Sequence, residues 1–235
     1  MTAPPERARG ALTLALEGAG RPASLAARGA SGAVLHRTLS DSREHASDLA
    51  AELAGLLDEL GVAPRAVELV VVGLGPGSYT GLRVTAATAL GLALGTGAAL
   101  IGVPSFEALA LGALAPGETG DIAVDARGGH VYHARYRRST AGVEVLRAPS
   151  AAGPAEVAAA LLEGASTVWL ADADALAAVG LGAAPAGVTV RGGCRARAED
   201  VLTLGLARFA ARGGVGEATV APLYLRSFEP KVRAR

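Results

Sequence analysis

The stretch VELVVVGLGPGSYTGLR, residues 67–83, decides the fold. Its Val/Leu run at 67–72, interrupted only by Glu68, predicts a strand that is buried on both faces of a sheet. The glycines of 73–81 predict a tight turn that opens directly into a helix over 81–94. A buried strand that leads through a turn into a helix indicates a layered α/β unit.

The same alternation of strands and helices extends along the chain in both directions. Before this stretch we predict three strands and a helix, over 12–16, 22–27, 33–39 and 42–60. After it we predict a strand, a helix, three strands, a helix, a strand and two helices, over 100–103, 104–114, 122–125, 131–136, 143–146, 154–162, 167–170, 173–179 and 200–212. The order βββαβαβα followed by a shorter βββαβα predicts two related halves.

A composition break at 117–120 divides the two halves. We predict a first lobe over 10–116, joined by the helix at 199–213, and a shortened second lobe over 117–198. Residues 222–235 are predicted to form an extended tail.

Composition excludes several classes of protein. With 22 basic and 22 acidic residues the formal net charge is zero, which excludes electrostatic steering of the whole protein toward nucleic acid or an anionic membrane. A hydrophobic content of 51% with 19% charged residues excludes a disordered chain. Cys194 is the single cysteine, so no internal disulfide forms, and a reducing compartment fits.

The uncharged stretch 84–106 is long enough to cross a bilayer. However, its glycines and threonines dilute the apolar residues, and the Gly-Thr-Gly break at 95–97 divides it into a helix and a short strand. We therefore expect a buried helix and strand and no membrane contact. The start of the chain lacks the apolar segment of a secretory signal, so we expect a cytoplasmic protein.

The glycine turn has two possible roles. A buried strand that leads into glycines and a helix can aim backbone N–H groups at a phosphate. The specific nucleotide signatures fail, because no Walker lysine is present and Ser78 stands where the Rossmann spacing needs its third glycine. The alternative is that the glycines allow positive φ and close packing of the helix on the sheet. The spacing alone leaves both roles open.

The motifs GPGSYTGLR at 75–83 and IGVPSFEALA at 101–110 resemble the bacterial TsaB family. Further matches span most of the chain in the family's order: REH at 43–45, VDAR at 124–127, VY at 131–132 and PLYLR at 222–226. The resemblance implies the two-lobed α/β fold of actin, sugar kinases and heat-shock ATPases (the ASKHA fold).

The resemblance also implies a function. TsaB is a non-catalytic subunit of the machinery that places threonylcarbamoyl on the adenosine next to the tRNA anticodon. It pairs with its catalytic paralogue TsaD, and the ATPase TsaE joins the complex. We accordingly expect no catalytic residue and no cofactor in this chain, and an indirect or weak contact with tRNA.

Two sets of residues bear on whether this chain keeps an active site. The metal-binding histidine pair of the catalytic paralogue falls here on Ser105 and Leu109, which are poor substitutes for imidazole, so we expect no metal site. TsaB relatives commonly have Asp-Thr-Ser/Ala-Thr after the first strand, where this chain has Glu-Gly-Ala-Gly at 17–20. Glu17 could still reach a hydrated magnesium ion, but a hydroxyl for phosphate is missing. We interpret four residues as a vestigial phosphate loop: Glu17, Gly75, Gly77 and Ser78.

Other polar residues favour structural roles. Asp125 and Arg127, two apart on a predicted strand, favour an ion pair over substrate contact. His130 and His133 are predicted on opposite faces of a sheet. No histidine lies near Cys194 to activate it as a nucleophile. The tail charges favour a solvated terminus over contact with RNA: Arg226, Lys231, Arg233 and Arg235.

If the chain has no chemistry of its own, its function lies in a surface. The helix after the glycine turn is rich in small residues, which let another helix approach closely. Together with a leucine stripe on the first helix it is the predicted partner surface: Leu49, Leu53, Leu56, Arg83, Ala86, Ala87, Leu90 and Leu94. The resemblance points to the same helices for contact with TsaD, and for a homodimer when the partner is missing.

Two alternatives remain open. Both helices could bury entirely against their own sheet. The chain could also be an ATPase or small-molecule kinase of the actin-like fold that acts alone, using Glu17 and the loop 75–77.

Overall fold

The first half of the chain builds one five-stranded sheet. The structure is a computed structural model that describes residues 12–39, 45–164, 166–181, 184–212, 216–217 and 220–226. The elements of this half are, in order, β1 (Leu12–Glu17), β2 (Ser24–Arg28), β3 (Val34–Thr38), α1 (His45–Glu59), β4 (Val67–Gly73), α2 (Tyr79–Thr96), β5 (Ala99–Val103) and α3 (Ser105–Ala113). The strand order is β3-β2-β1-β4-β5. The strand β2 runs antiparallel to both β1 and β3, whereas β4 runs parallel to both β1 and β5.

The second half repeats this arrangement with a second five-stranded sheet. Its elements are β6 (Thr119–Asp125), β7 (Val131–Arg138), β8 (Val143–Ala152), α4 (Pro154–Glu163), β9 (Val168–Ala171), α5 (Ala173–Ala178), β10 (Thr189–Arg191) and α6 (Ala198–Ala211). The strand order β8-β7-β6-β9-β10 reproduces the first sheet, with the same antiparallel and parallel pairings. The predicted pair of related halves is therefore confirmed.

The second half is complete in its strands and shortened in its helices. The strand β10, which has only three residues, was not predicted, so the second half contains βββαβαβα rather than βββαβα. Its two crossover helices are short, because α4 has 10 residues and α5 has 6. Their counterparts α1 and α2 have 15 and 18 residues.

The last helix of each half packs on the sheet of the other half. Helix α6 contacts β1, β2, β4 and β5, and Phe209 of α6 is buried beside Val71 and Ile101 of the first sheet. Helix α3 contacts β6, β7 and β8, and its Leu109 is buried beside Ile122. We call each sheet, with the helices that pack on it, a lobe. This exchange of helices joins the two lobes through their cores.

Helices α3 and α6 also contact each other. Arg208 of α6 forms an ion pair with Glu107 of α3 at 2.7 Å and donates a hydrogen bond to the carbonyl oxygen of Gly102 at 3.0 Å. The exchanged helices therefore form a continuous connection between the lobes.

The uncharged stretch 84–106 is divided as the glycine pattern predicts. Gly97 has a φ of 76°, a left-handed conformation that ends α2, and β5 begins two residues later. Within the described residues, no helix combines the length and the apolar character needed to cross a membrane.

Some predictions fall on residues outside the described ranges. These are the first two residues of the REH motif, Arg43 and Glu44, and the tail residues 227–235 with Lys231, Arg233 and Arg235.

Candidate functional site

The glycine turn between β4 and α2 is pressed against the end of β1. A Cβ atom at Gly73 would collide with the carboxylate of Glu17, one at Gly77 with the carbonyl oxygen of Ala19, and one at Gly81 with that of Gly18. Only glycine allows this approach. Gly75 is required for a different reason, since its φ of 90° lies in the left-handed region.

The amide donors of this turn are largely used inside the chain. The N–H of Ser78 donates to the carbonyl oxygen of Ala19 at 2.7 Å, and the N–H of Gly81 donates to Ser78 Oγ at 3.2 Å. The N–H of Gly75 donates to Ser105 Oγ at 2.9 Å. These three amides therefore bind acceptors of the chain itself, which leaves them unavailable to a phosphate.

Glu17 is enclosed at the end of β1, with a side chain only 1% exposed. Its Oε2 accepts a hydrogen bond from Ser105 Oγ at 2.8 Å, and its Oε1 accepts one from the N–H of Ala19 at 2.6 Å. Burial raises the pKa of Glu17 to about 7, against the lowering effect of these hydrogen bonds. Burial and these hydrogen bonds disfavour contact between Glu17 and a hydrated magnesium ion, and the vestigial phosphate loop stays a prediction.

A cleft of about 880 Å³ lies between the two lobes. It is lined from the first lobe by the turn after β1 and the start of α2, from the second lobe by the loop after β6 and the start of α5, and by the C-terminal segment: residues 19–21, 77–80, 124–128, 132, 172, 174, 223, 224 and 226. Glu17 is not among the residues that line this cleft.

Two of the acidic groups in the cleft are already engaged. Asp172 caps α5 by accepting the N–H of Ala175 at 2.6 Å, and it also accepts the N–H of Asp125 at 3.2 Å. Asp125 forms the predicted ion pair with Arg127, with 3.4 Å between Oδ2 and Nε. Arg127 lies in the loop after β6 with a φ of 62°, so the predicted placement of both residues on one strand is wrong.

The histidines of the second lobe have hydrogen-bond partners. His133 is buried on β7, with its Nε2 2.8 Å from Asp121 Oδ1. His130 precedes β7, and its Nδ1 lies 3.0 Å from the carbonyl oxygen of Gly128. The predicted placement of both on one strand therefore fails, because His130 is in the loop. Within the described ranges, no three His, Cys, Asp or Glu side chains converge as a metal site would require.

Three other predicted residues serve the interior of the chain. Ser105 bridges Glu17 and Gly75, and Leu109 is buried in the core of the second lobe. Cys194 is partly buried, and its burial raises the pKa of the thiol, which disfavours the reactive thiolate.

The leucine stripe of α1 is not available to a partner. Leu49, Leu53 and Leu56 are buried in the core of the first lobe. Their assignment to a partner surface is therefore corrected: the stripe faces the chain's own sheet because that sheet supplies the apolar surface the leucines need.

Helix α2 does expose a face to solvent. Arg83, Ala87, Leu90 and Leu94 are exposed, at a spacing that places them on one side of the helix, whereas Ala86 is only partly exposed. Leu90 is 43% exposed and Leu94 is 77% exposed. Beyond Arg83 the helix carries no charged residue.

Helix α1 contacts α2 and has exposed small residues of its own. Ala51, Ala54 and Gly55 are exposed on α1. A Cβ atom at Gly55, or at Gly91 and Gly95 of α2, would meet nothing within 4 Å, so packing inside the chain does not require these glycines. We call the combined set the α1/α2 surface: Ala51, Ala54, Gly55, Arg83, Ala87, Leu90, Gly91, Leu94 and Gly95.

The duplicated sheets, the exchanged helices and the cleft between lobes define a two-lobed α/β protein of the class that contains actin, sugar kinases and heat-shock ATPases, as the motifs predict. Residues 37–188 match the family model described as TsaD, tRNA N6-adenosine threonylcarbamoyltransferase. The match covers more than half of the chain, which therefore belongs to this family.

Individual relatives point to the TsaB branch. The chain is 29% identical over 196 residues to the tRNA threonylcarbamoyladenosine biosynthesis protein TsaB of Escherichia coli strain K12, covering 79% of this chain and 82% of that protein. The solved structure of YeaZ from Pseudomonas aeruginosa superimposes with a TM-score of 0.76 at 28% identity, covering 92% of this chain and 100% of that one. The resemblance to TsaB inferred from the motifs is confirmed.

Proposed function

We propose that this chain is a non-catalytic subunit of the machinery that makes N6-threonylcarbamoyladenosine in tRNA. In this proposal it binds the catalytic subunit TsaD through the α1/α2 surface, and the ATPase TsaE joins the pair. Support comes from its family and from its similarity to TsaB of Escherichia coli.

The observation that carries the proposal is the exposed face of α2, which has no charged residue beyond Arg83. Burying a leucine side chain fully stabilises a complex by about 2 kcal/mol, so Leu90 and Leu94 supply apolar contact that solvent exposure leaves unused. Gly91 and Gly95 each cost the isolated helix about 1 kcal/mol relative to alanine without a packing reason inside the chain. A partner helix that packs closely on this face accounts for both features.

The interior supports a subunit without chemistry of its own. The position that would hold the first metal-binding histidine is Ser105, whose hydroxyl is bonded to Glu17, and the second position, Leu109, is in a core. In the glycine turn, the amides of Ser78 and Gly75 donate to Ala19 and Ser105 rather than to a ligand. These contacts disfavour the alternative of an ATPase or small-molecule kinase that acts alone.

Substitution of Ala87 tests the interface. Ala87→Arg places a long charged side chain at the middle of the α1/α2 surface, and an unpaired charge buried there costs about 3 kcal/mol or more. We expect at least about a hundredfold weaker binding to TsaD from the same organism, measured by light scattering after size-exclusion chromatography and by titration calorimetry. If the chain alone is a homodimer through this surface, the variant is also expected to be monomeric.

The matched control is Ala159→Arg, the same change at an exposed alanine of α4 in the second lobe. It is expected to bind TsaD normally, and both variants are expected to keep the wild-type circular dichroism spectrum. Wild-type affinity in Ala87→Arg would exclude this interface. Magnesium-dependent ATP hydrolysis by the purified chain, abolished in Glu17→Ala, would instead favour the kinase or ATPase alternative.

A further inference from the structure

The described part of the C-terminal segment begins on the first lobe. The N–H of Glu217 donates to the carbonyl oxygen of Leu100 at 2.7 Å, and the Glu217 carboxylate accepts the N–H of Gly102 at 3.0 Å. Further on, the N–H of Leu223 donates to the carbonyl oxygen of Leu74 at 2.7 Å. The segment thus follows the β5 edge of the first sheet toward the cleft.

The same segment then crosses to the second lobe. The ring of Tyr224 packs against the ring of Tyr79 at the start of α2, with 5.2 Å between centroids. Two residues later, Arg226 donates from Nη1 to the carbonyl oxygen of Ala126 at 2.9 Å and to that of Arg127. Arg226 is therefore bound to the protein, and its assignment to a solvated terminus is corrected.

The loop of the second lobe that receives Arg226 has an unusual backbone. Arg127, Gly128 and Gly129 have φ values of 62°, 59° and 72°, three consecutive residues in the left-handed region. A non-glycine residue such as Arg127 adopts this conformation only at a cost. In this loop two successive carbonyl oxygens, those of Ala126 and Arg127, accept hydrogen bonds from the guanidinium group of Arg226.

Gly128 also leaves space for this group. A Cβ atom at Gly128 would lie 3.1 Å from Arg226 Nη2 and 3.3 Å from Nη1, tighter than an ordinary contact. The second lobe thus has a binding site for the Arg226 guanidinium. The left-handed backbone, the two carbonyl acceptors and the missing side chain at Gly128 together form it.

We propose that the described C-terminal residues, 216–217 and 220–226, form a strap that holds the two lobes in one relative orientation across the cleft, with Arg226 as its latch. The exchanged helices α3 and α6 join the lobes through their cores, and the strap adds a second, separate connection at the cleft. The cleft is therefore a fixed feature and does not open and close. This inference does not rest on the proposed function, because Arg226 is not part of the α1/α2 surface.

Spin labels on the two lobes test the strap. Cysteines replace Glu68 on β4 and Glu156 on α4, both exposed, in a Cys194→Ser background of the full chain. Pulsed electron paramagnetic resonance then measures the distance between the labels. We expect a single narrow distance distribution with Arg226 present and a distribution at least about twice as wide in Arg226→Ala, because the lobes lose their connection at the cleft.

Hydrogen exchange gives an independent readout. In Arg226→Ala, the amides of 126–130 and 223–225 are expected to exchange about tenfold faster, whereas those of β4 remain unchanged. The matched control is Arg137→Ala, which removes an arginine whose partner is the exposed Glu144 of the same lobe. It is expected to alter neither the distance distribution nor the exchange of these two segments.

If the alanine variant is unstable, Arg226→Gln replaces it in the test. Glutamine retains a polar side chain but lacks the charged guanidinium group. An unchanged distance distribution in a folded Arg226→Ala or Arg226→Gln variant would overturn the proposal. Faster exchange confined to 223–225, with the loop 126–130 unaffected, would likewise show that the contact does not connect the lobes.

Discussion

Glu17 connects three elements of the first half of the chain through a buried carboxylate. At the end of β1 the side chain is long enough to reach Ser105, which in turn accepts the N–H of Gly75. Glu17 thereby joins the first strand, the glycine turn and the start of α3. A residue that resembles part of a phosphate site in the sequence is, in the structure, a tether among three elements.

The pKa of Glu17 predicts how it affects stability. Because its folded pKa is about 7 and its unfolded pKa is 4.5, the folded state binds more protons between these values, and its contribution to stability declines as pH rises through that window. Glu17→Gln cannot ionise, so we expect the free energy of unfolding to vary less between pH 5 and pH 8 than in the wild type. Urea unfolding at the two pH values measures this, and an unchanged pH dependence would contradict it.

Asp121 is expected to act in the opposite direction. Its burial favours a higher pKa, but hydrogen bonds from His133 at 2.8 Å and Arg135 at 3.0 Å outweigh burial and lower the pKa below its usual 3.8. Stability from this carboxylate is therefore present above pH 3.8 and lost as pH falls through the lower, folded pKa. Asp121→Asn should lose about 3 kcal/mol near neutral pH, because Arg135 is left without its charge partner.

Urea unfolding of Asp121→Asn at pH 6 and pH 3 provides the measurement. The difference in stability between the variant and the wild type should shrink at the lower pH. Glu144→Gln, at an exposed carboxylate of the same sheet, is the control and should change little at either pH. An equal loss in Asp121→Asn at both pH values would exclude an electrostatic origin.

The motifs and composition single out Glu17, Ser105 and His133 but give no sign of their partners, and they do not single out Asp121. Residues 17 and 105 are 88 positions apart, and no periodicity connects them. Asp121 and His133 meet because β6 and β7 pair as an antiparallel hairpin, and Ile122 opposite Ala134 sets the register. The hairpin could be predicted, but its register could not, since a shift of one residue turns every side chain to the other face.

At the scale of elements, the spacing of apolar residues shows that a helix has an apolar face, but it does not show what that face packs against. The leucines of α1 recur at helical spacing, and this pattern correctly indicates one apolar face. This face packs either on the chain's own sheet or on a partner protein, and a single sequence does not distinguish the two. In α2 the charge pattern is more informative, because a face that has no charge beyond Arg83 and still contains exposed leucines has few uses inside one chain.

The strand β10 was not predicted because it is too short to show a sequence pattern. It has three residues, and two of them are exposed, so neither alternation nor an apolar run marks it. It exists because it pairs in parallel with β9, and tertiary pairing of this kind overrides local propensity. The bounds predicted for the two lobes stay a prediction.

At the scale of the whole molecule, the exchange of helices makes the stability of each lobe depend on a distant part of the chain. Phe209 lies in the core of the first lobe although it follows the second sheet in sequence. Leu109 lies in the core of the second lobe although it follows the first sheet. Sequence order favours the opposite assignment for α3, because consecutive elements are usually neighbours in space.

A crossed pair of substitutions tests this dependence. Phe209→Ala and Leu109→Ala each remove a buried side chain and should lower the free energy of unfolding by about 3 kcal/mol. Hydrogen exchange should respond away from each mutation in sequence: Phe209→Ala should first loosen the amides of β1 and β4, and Leu109→Ala those of β6 and β7. Each variant serves as the control for the other, because the size of the change is similar and only the affected sheet differs. Loosening of the sheet nearest in sequence, in both variants, would show that the exchanged helices do not carry the stability of the lobes on which they pack.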